Sequence, residues 1–168
     1  FLMTTFLKNR DMKFSFHLLL ACIALTACGE SGKTTADYRI VPCPGEIAPG
    51  DGGDFELDAR TRIVCTGDND GMRANAEFLA GYVESVVGSA PEITGPDGLC
   101  DDGRAVILRA DAPGKGGEAY EIEVSENRIT VSGESDAGVF YGIQTLRKAM
   151  GAAKAAKVLF PAVRIADE

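Results

Sequence analysis

Residues 118–150, EAYEIEVSENRITVSGESDAGVFYGIQTLRKAM, change their hydrophobic period once, and that change constrains the fold more than any other feature of the chain. Tyr120, Ile122 and Val124 alternate with Glu121, Glu123 and Ser125, and Ile129 and Val131 resume the alternation after a polar break. A period of two puts one set of side chains on a buried face and the other in water, so this half reads as a β-hairpin with one wet face. After Gly133 the apolar residues Val139, Ile143, Leu146 and Met150 fall at i, i+4, i+7 and i+11, which is one stripe down a helix. Ser135 or Asp136 is placed to cap that helix, because a short oxygen-bearing side chain there accepts from the free first-turn N–H groups. Gly138 and Gly142 lie four apart on it and allow close approach to a neighbouring backbone.

The rest of the chain supplies the other layer. Arg39 to Pro44 reads as an extended lead-in, since proline forbids helix and biases its predecessor toward β. Residues 45–53 read as a loop, and Phe55–Leu57 and Thr61–Val64 as short strands. A helix is expected from about Met72 to Val87, burying Met72, Ala76, Leu79, Val83 and Val86 or Val87. Pro91–Thr94 is a further short strand, 95–103 a polar loop, and Ala105–Leu108 a central strand because it shows no polar alternation. Residues 111–117 are loop, 152–157 a weak link, and Phe160–Ile165 a final strand. The sum is an α+β fold, one mixed β-sheet with two helices packed on one face. Both helices carry bulky residues beside the buried stripe, Phe78 and Tyr82 in the first and Phe140 and Tyr141 in the second. Such overflow points to a second packing surface.

The amino-terminal part is of a different kind. Met12-Lys13 opens the run FSFHLLLACIALTAC, with a positive flank, a short apolar core and small residues before a cysteine. The run is too short to stay in a bilayer as a span. Leu25-Thr26-Ala27-Cys28 resembles the bacterial lipobox, in which cleavage before the cysteine leaves its thiol to be acylated. The expected organisation is a signal peptide over 1–27 with its natural start at Met12, a lipidated tether over 28–38 anchored at Cys28, and a domain over 39–168. The expected location is an exported protein, lipid-anchored to a bacterial membrane in the periplasm or at the cell surface. Ala27 to Thr34 also fits a loose phosphate-binding loop, but a signal core precedes it and Pro42 and Pro44 follow, where that chemistry needs a strand and a helix.

Composition narrows the chemistry. The leader holds Lys8, Arg10 and Lys13 against Asp11, so residues 28–168 carry 14 basic and 24 acidic residues, a formal net charge of −10. An acidic surface repels phosphate and argues against a nucleic-acid partner. The one histidine, His17, lies in the leader, so residues 28–168 cannot build a Ser-His-Asp or Cys-His pair or a histidine zinc site. Cys43, Cys65 and Cys100 are too few and too widely spaced for a paired-cysteine zinc pattern; in an exported protein one pair could form a disulfide, and spacing does not say which. Thr66, Asp68, Asp70, Gly71 and Glu77 fall at calcium-loop positions one, three, five, six and twelve, yet position one is threonine, position eight is Arg73 and a strand precedes. The plainer reading is an acidic turn that caps a helix. No cofactor, metal site or catalytic residue is assigned.

The alternating hairpin followed by Ala137-Gly138-Val139-Phe140-Tyr141-Gly142-Ile143-Gln144-Thr145-Leu146 resembles the small, zincin-like domain that precedes the barrel in glycoside hydrolase family 20, the β-N-acetylhexosaminidases. Val41-Pro42-Cys43-Pro44 is similar to the Ile-Pro-x-Pro stretch with which such domains commonly begin. The resemblance implies a non-catalytic N-terminal domain whose partner is a C-terminal (β/α)8 barrel of the same polypeptide, with glycan bound through that barrel. It implies a retaining reaction in which the substrate's own acetamido oxygen is the nucleophile, helped by an Asp-Glu pair in the barrel. Asp167-Glu168 would then mark the junction with the barrel, since neighbours in a strand project to opposite faces and do not converge on one bond. Two alternatives stay open: a free-standing surface lipoprotein binding glycan or protein, and the same domain in an α-glucuronidase or family 84 glycosidase.

Overall fold

A computed structural model describes residues 32–99, 103–111 and 116–168. Among the described residues, ten strands and two α-helices follow in the order β1 (Lys33–Thr35), β2 (Glu46–Pro49), β3 (Phe55–Leu57), β4 (Arg62–Cys65), α1 (Asp70–Val87), β5 (Glu92–Thr94), β6 (Ala105–Arg109), β7 (Tyr120–Ser125), β8 (Arg128–Gly133), α2 (Asp136–Met150), β9 (Lys157–Phe160) and β10 (Val163–Asp167). Seven of the strands form one sheet in the order β2-β10-β7-β8-β6-β4-β5. Its β2, β10, β7 and β8 neighbours are antiparallel, while β8, β6, β4 and β5 run parallel. Parallel neighbours need a crossover, and α1 supplies the one between β4 and β5.

Register explains why the helices lie where they do. Ile47, Ile165, Ile122, Val131, Leu108 and Cys65 stand opposite one another across six strands. A second row runs Pro49, Val163, Val124, Ile129, Val106, Ile63 and Ile93. From Ile165 to Cys65 in the first row and from Val163 to Ile63 in the second, these residues share one core with Met72, Ala76, Leu79, Val83 and Val86 of α1 and Val139, Ile143, Leu146 and Met150 of α2, while Ile47, Pro49 and Ile93 on the edge strands are exposed. The expected stripes are therefore the buried ones, and both helices cover the same sheet face. Across the sheet, Val64, Ala105 and Ile107 form a separate buried cluster, so β4 and β6 are apolar on both faces.

The structure departs from expectation at several boundaries. Within the stretch 28–38, expected as a tether, Lys33–Thr35 pairs in parallel with β9 and Ala36 is buried. The stretch taken as a loop over 45–53 contains β2, an edge strand that tolerates Pro49 because that edge needs no donor. The single last strand is two, separated at Pro161 and assigned to different sheets. The expected mixed sheet with two helices on one face is the seven-stranded one, and a three-stranded sheet of order β1-β9-β3 accompanies it. Helix α1 also begins earlier, at Asp70, because Asn69 is the cap that accepts from the Met72 N–H at 2.8 Å. In α2 the cap is Ser135, which accepts from the Gly138 N–H and donates to the Gly117 carbonyl.

The small sheet is fastened to the large one by charge. Glu56 on β3 accepts from Lys157 of β9 at 2.7 Å and from Arg104, just before β6, at 3.1 Å, with Lys33 of β1 at 3.6 Å. The hydrogen bonds from Lys157 and Arg104 hold the Glu56 carboxyl down at about 2, from an ordinary 4.5. A carboxylate with a depressed folded value contributes stability above its ordinary range and loses it as pH falls. Glu56→Gln should therefore lower stability at neutral pH by on the order of 1 kcal/mol after solvent screening. Denaturant titrations at a series of pH values should also show less loss of stability between pH 4.5 and 2 in the variant than in the parent.

Gly138 and Gly142 set the distance between α2 and the sheet. A Cβ on Gly138 would stand 2.3 Å from the Ala119 carbonyl oxygen, and one on Gly142 would stand 2.5 Å from Val131 Cγ1 and 3.3 Å from the Tyr120 ring. Gly138→Ala meets rigid backbone, so overpacking of about 1–3 kcal/mol should exceed the roughly 1 kcal/mol gained in helix propensity. Urea unfolding should show net destabilisation at Gly138, and by contrast a gain of up to about 1 kcal/mol for Gly81→Ala, whose Cβ would meet nothing within 4 Å.

Candidate docking face

The two helices run side by side with their N-termini together. Asn75 donates from Nδ2 to the Asp136 backbone carbonyl at 2.8 Å, and Asn69 from Nδ2 to Asp136 Oδ1 at 3.3 Å. Gly71 lies against the same contact, where a Cβ would stand 2.3 Å from Asp136 Oδ2 and the carboxylate would have to shift. At the far end, the Tyr82 hydroxyl donates to the Gly151 carbonyl at 2.8 Å. The pair is thus locked at both ends, and a seam opens on the side away from the sheet.

Aromatic rings line that seam. Phe78, Phe140 and Tyr141 are 38%, 36% and 41% exposed, whereas among the described residues the other aromatic rings are buried or half-buried. Phe78 and Phe140 stand 5.6 Å apart and Phe140 and Tyr141 5.9 Å apart, tilted and edge-on, so they form one cluster. With Ala74 and Ala137 they border an open groove of about 490 Å³. Arg147 crosses the same seam, its guanidinium carbon 5.9 Å from the Phe78 ring centre and 5.6 Å from that of Tyr82. The overflow residues are thus the ones that build the outer surface, except Tyr82, which is half-buried against the core.

The other sequence candidates are put to structural use. Thr66 donates to the Leu108 carbonyl at 3.3 Å, Asp68 lies 3.9 Å from Arg73, and Glu77 is on the exposed side of α1, so the calcium-like spacing serves a helix cap. Cys43 is free and exposed; Cys65 is free and buried, its thiol donating to the Met72 carbonyl and pushed up in pKa by burial, with Asp136 adding to the shift. Asp167 stands opposite Tyr120 on the helix side of the sheet and accepts the Gly45 N–H at 3.0 Å. The Tyr120 hydroxyl is bonded to Thr145 Oγ1 at 2.7 Å. Cys28, His17 and Cys100 lie outside the described residues. Among the described residues no three metal-ligating side chains gather and no helix is long and apolar enough to cross a membrane.

The sequence model for domain 2 of glycosyl hydrolase family 20 matches residues 37–168. The chain belongs to that family. A β-N-acetylhexosaminidase of Cellulomonas fimi is 28% identical over 131 residues, which make up 78% of this chain and 26% of that protein. The family 20 β-N-acetylhexosaminidase of Streptomyces coelicolor superposes with a TM-score of 0.65 at 23% identity, over 77% of this chain and 26% of that one, a likeness of fold. A family 20 β-N-acetylglucosaminidase gives a TM-score of 0.55 at 31% identity over 78% of this chain and 22% of its own. The family 20 domain therefore spans about a quarter of the length of these relatives. Its α+β fold, two helices and mixed sheets, is the fold they share with it.

A surface held for docking should tolerate changes that the core does not. Phe140→Ala in this chain should cost less than about 1 kcal/mol, whereas Ile143→Ala, three residues along the same helix and fully buried, should cost about 2–5 kcal/mol. Chemical denaturation of the two variants checks the contrast.

Proposed function

We propose that this chain is the non-catalytic N-terminal domain of an exported β-N-acetylhexosaminidase that removes terminal N-acetylhexosamine residues from glycans. Catalysis belongs to a C-terminal (β/α)8 barrel of the same polypeptide, and lipid on Cys28 holds the enzyme to a bacterial membrane. The observation that carries the reading is the family match over residues 37–168 in a chain that spans only about a quarter of its hexosaminidase relatives.

The geometry supports a scaffolding role. An acid pair for glycoside chemistry must flank one bond, and Asp167, the acid next to the chain's last residue, is committed to the Gly45 backbone. What the domain offers instead is the aromatic seam between α1 and α2, which suits an interface within one polypeptide. The barrel docks there. In the barrel the substrate acetamido oxygen attacks the anomeric carbon while a glutamic acid protonates the leaving oxygen, so the present domain contributes stability and orientation rather than a reacting group.

The test is an assay of this chain and of the polypeptide encoded by the frame extended beyond Glu168, on β-linked N-acetylglucosaminides and on α-glucuronides. Only the longer product should hydrolyse, and only the first substrate class. With Cys28→Ser it should keep that activity while moving from the membrane to the soluble fraction. Hydrolysis by the 168-residue chain, or a frame ending at Glu168, would overturn the reading.

A further inference from the structure

We infer that Arg147 is the residue by which the helix-pair face selects its partner, taking a carboxylate of the barrel domain between the aromatic walls of the seam. This rests on the docking proposed above and adds the chemistry of the contact. The chain is acidic and matches its arginines to its own carboxylates almost everywhere. Arg39, Arg60, Arg62, Arg73, Arg104, Arg109 and Arg164 each lie within 4.0 Å of an aspartate or glutamate oxygen. Arg128 and Arg147 have no such partner among the described residues, and Arg128 is at the β7–β8 turn, away from the seam.

Arg147 differs in its surroundings as well. Its Nε is buried and has no acceptor within the described structure. Phe78 and Tyr82 attract the cation through their ring faces, an interaction that leaves the Nε proton without an acceptor. A guanidinium presents its N–H groups as a planar fork that fits a carboxylate with two parallel hydrogen bonds. A partner closing over Phe140 and Tyr141 would strip remaining water from this charge, so a surface without an acceptor there is rejected and one with a carboxylate accepted.

Length and charge both point to the occupant. The relatives are about four times as long as their match to this chain, so a covalently joined domain faces the seam at high effective concentration. The seam is lined mainly by apolar groups, with Asp136 held by Asn69 and Asn75 at one end and the unmatched guanidinium of Arg147 farther along, complementary to an apolar patch carrying one acid opposite Arg147.

The experiment is hydroxyl-radical footprinting of the intact polypeptide, read by mass spectrometry at Phe140 and Tyr141 against Ile93 and Leu99, which are 40% and 37% exposed. In the parent protein the two rings should oxidise more slowly than Ile93 and Leu99, although rings are intrinsically the more reactive. Arg147→Met, which keeps the aliphatic contact, should raise oxidation of both rings at least about fivefold, and Arg147→Lys should fall between. Fully buried Met72 reports folding, and Arg147→Gln replaces the methionine variant should Met72 oxidise. Protection unchanged in Arg147→Met would overturn the role of Arg147 and leave the docking intact. Rings that oxidise freely in the parent would overturn the docking and this inference with it. Protection that rises with protein concentration would overturn it in favour of a second copy of the chain.

Discussion

The closeness of α2 to the sheet is the contact on which the rest of the domain depends. Gly138 lies against the Ala119 carbonyl and Gly142 against Val131 and Tyr120, at separations that leave no room for a β-carbon. At that distance Val139, Ile143 and Leu146 reach the same core as the rows from Ile165 to Leu108 and from Val163 to Val106. A helix held farther off would open voids along both rows, and close-packed interiors tolerate few of those. Helix α1 is positioned secondarily, through Asn75 and Asn69 on Asp136 and through Tyr82 on Gly151, so its placement follows that of α2. The seam between them inherits its width from these locks.

What the sequence made legible divides along lines of length and periodicity. The β7–β8 hairpin and α2 were readable because a long segment switches from period two to period 3.6, and its buried residues are those the pattern names. The apolar run of β6 announced a central strand for the same reason. Strands β1 and β2 have three and four residues and owe their conformation to β9 and β10, so no pattern of their own marks them. The division at Pro161 was hidden because Phe160 to Ile165 reads as one strand, although Phe160 and Val163 pair into different sheets.

The docking face was partly legible for a related reason. Phe78, Phe140 and Tyr141 stand out as bulky residues one step beyond a buried stripe, which is a statement about a single helix. Tyr82 belongs to the same pattern yet turns inward, because the Gly151 carbonyl offers its hydroxyl an acceptor that only the folded chain brings near. Arg147 could not be read at all. Its significance arises from rings on the other helix and from the absence of a carboxylate beside it, and neither is a property of spacing. Asp136 likewise reads as a helix-start acid and is found to be the hinge pin between two helices.

The parallel pairing of β1 with β9 gives the domain a mechanical polarity. Lys33 stands beside Lys157, and β9 continues through Pro161 into β10, which is paired on both sides within the large sheet. A pull on the backbone upstream of Lys33 is thus resisted at the opposite end of β9, so the ladder is loaded in shear and its bonds must yield together rather than peel singly. Traction from the amino-terminal side is carried straight into β10 and the rows it anchors.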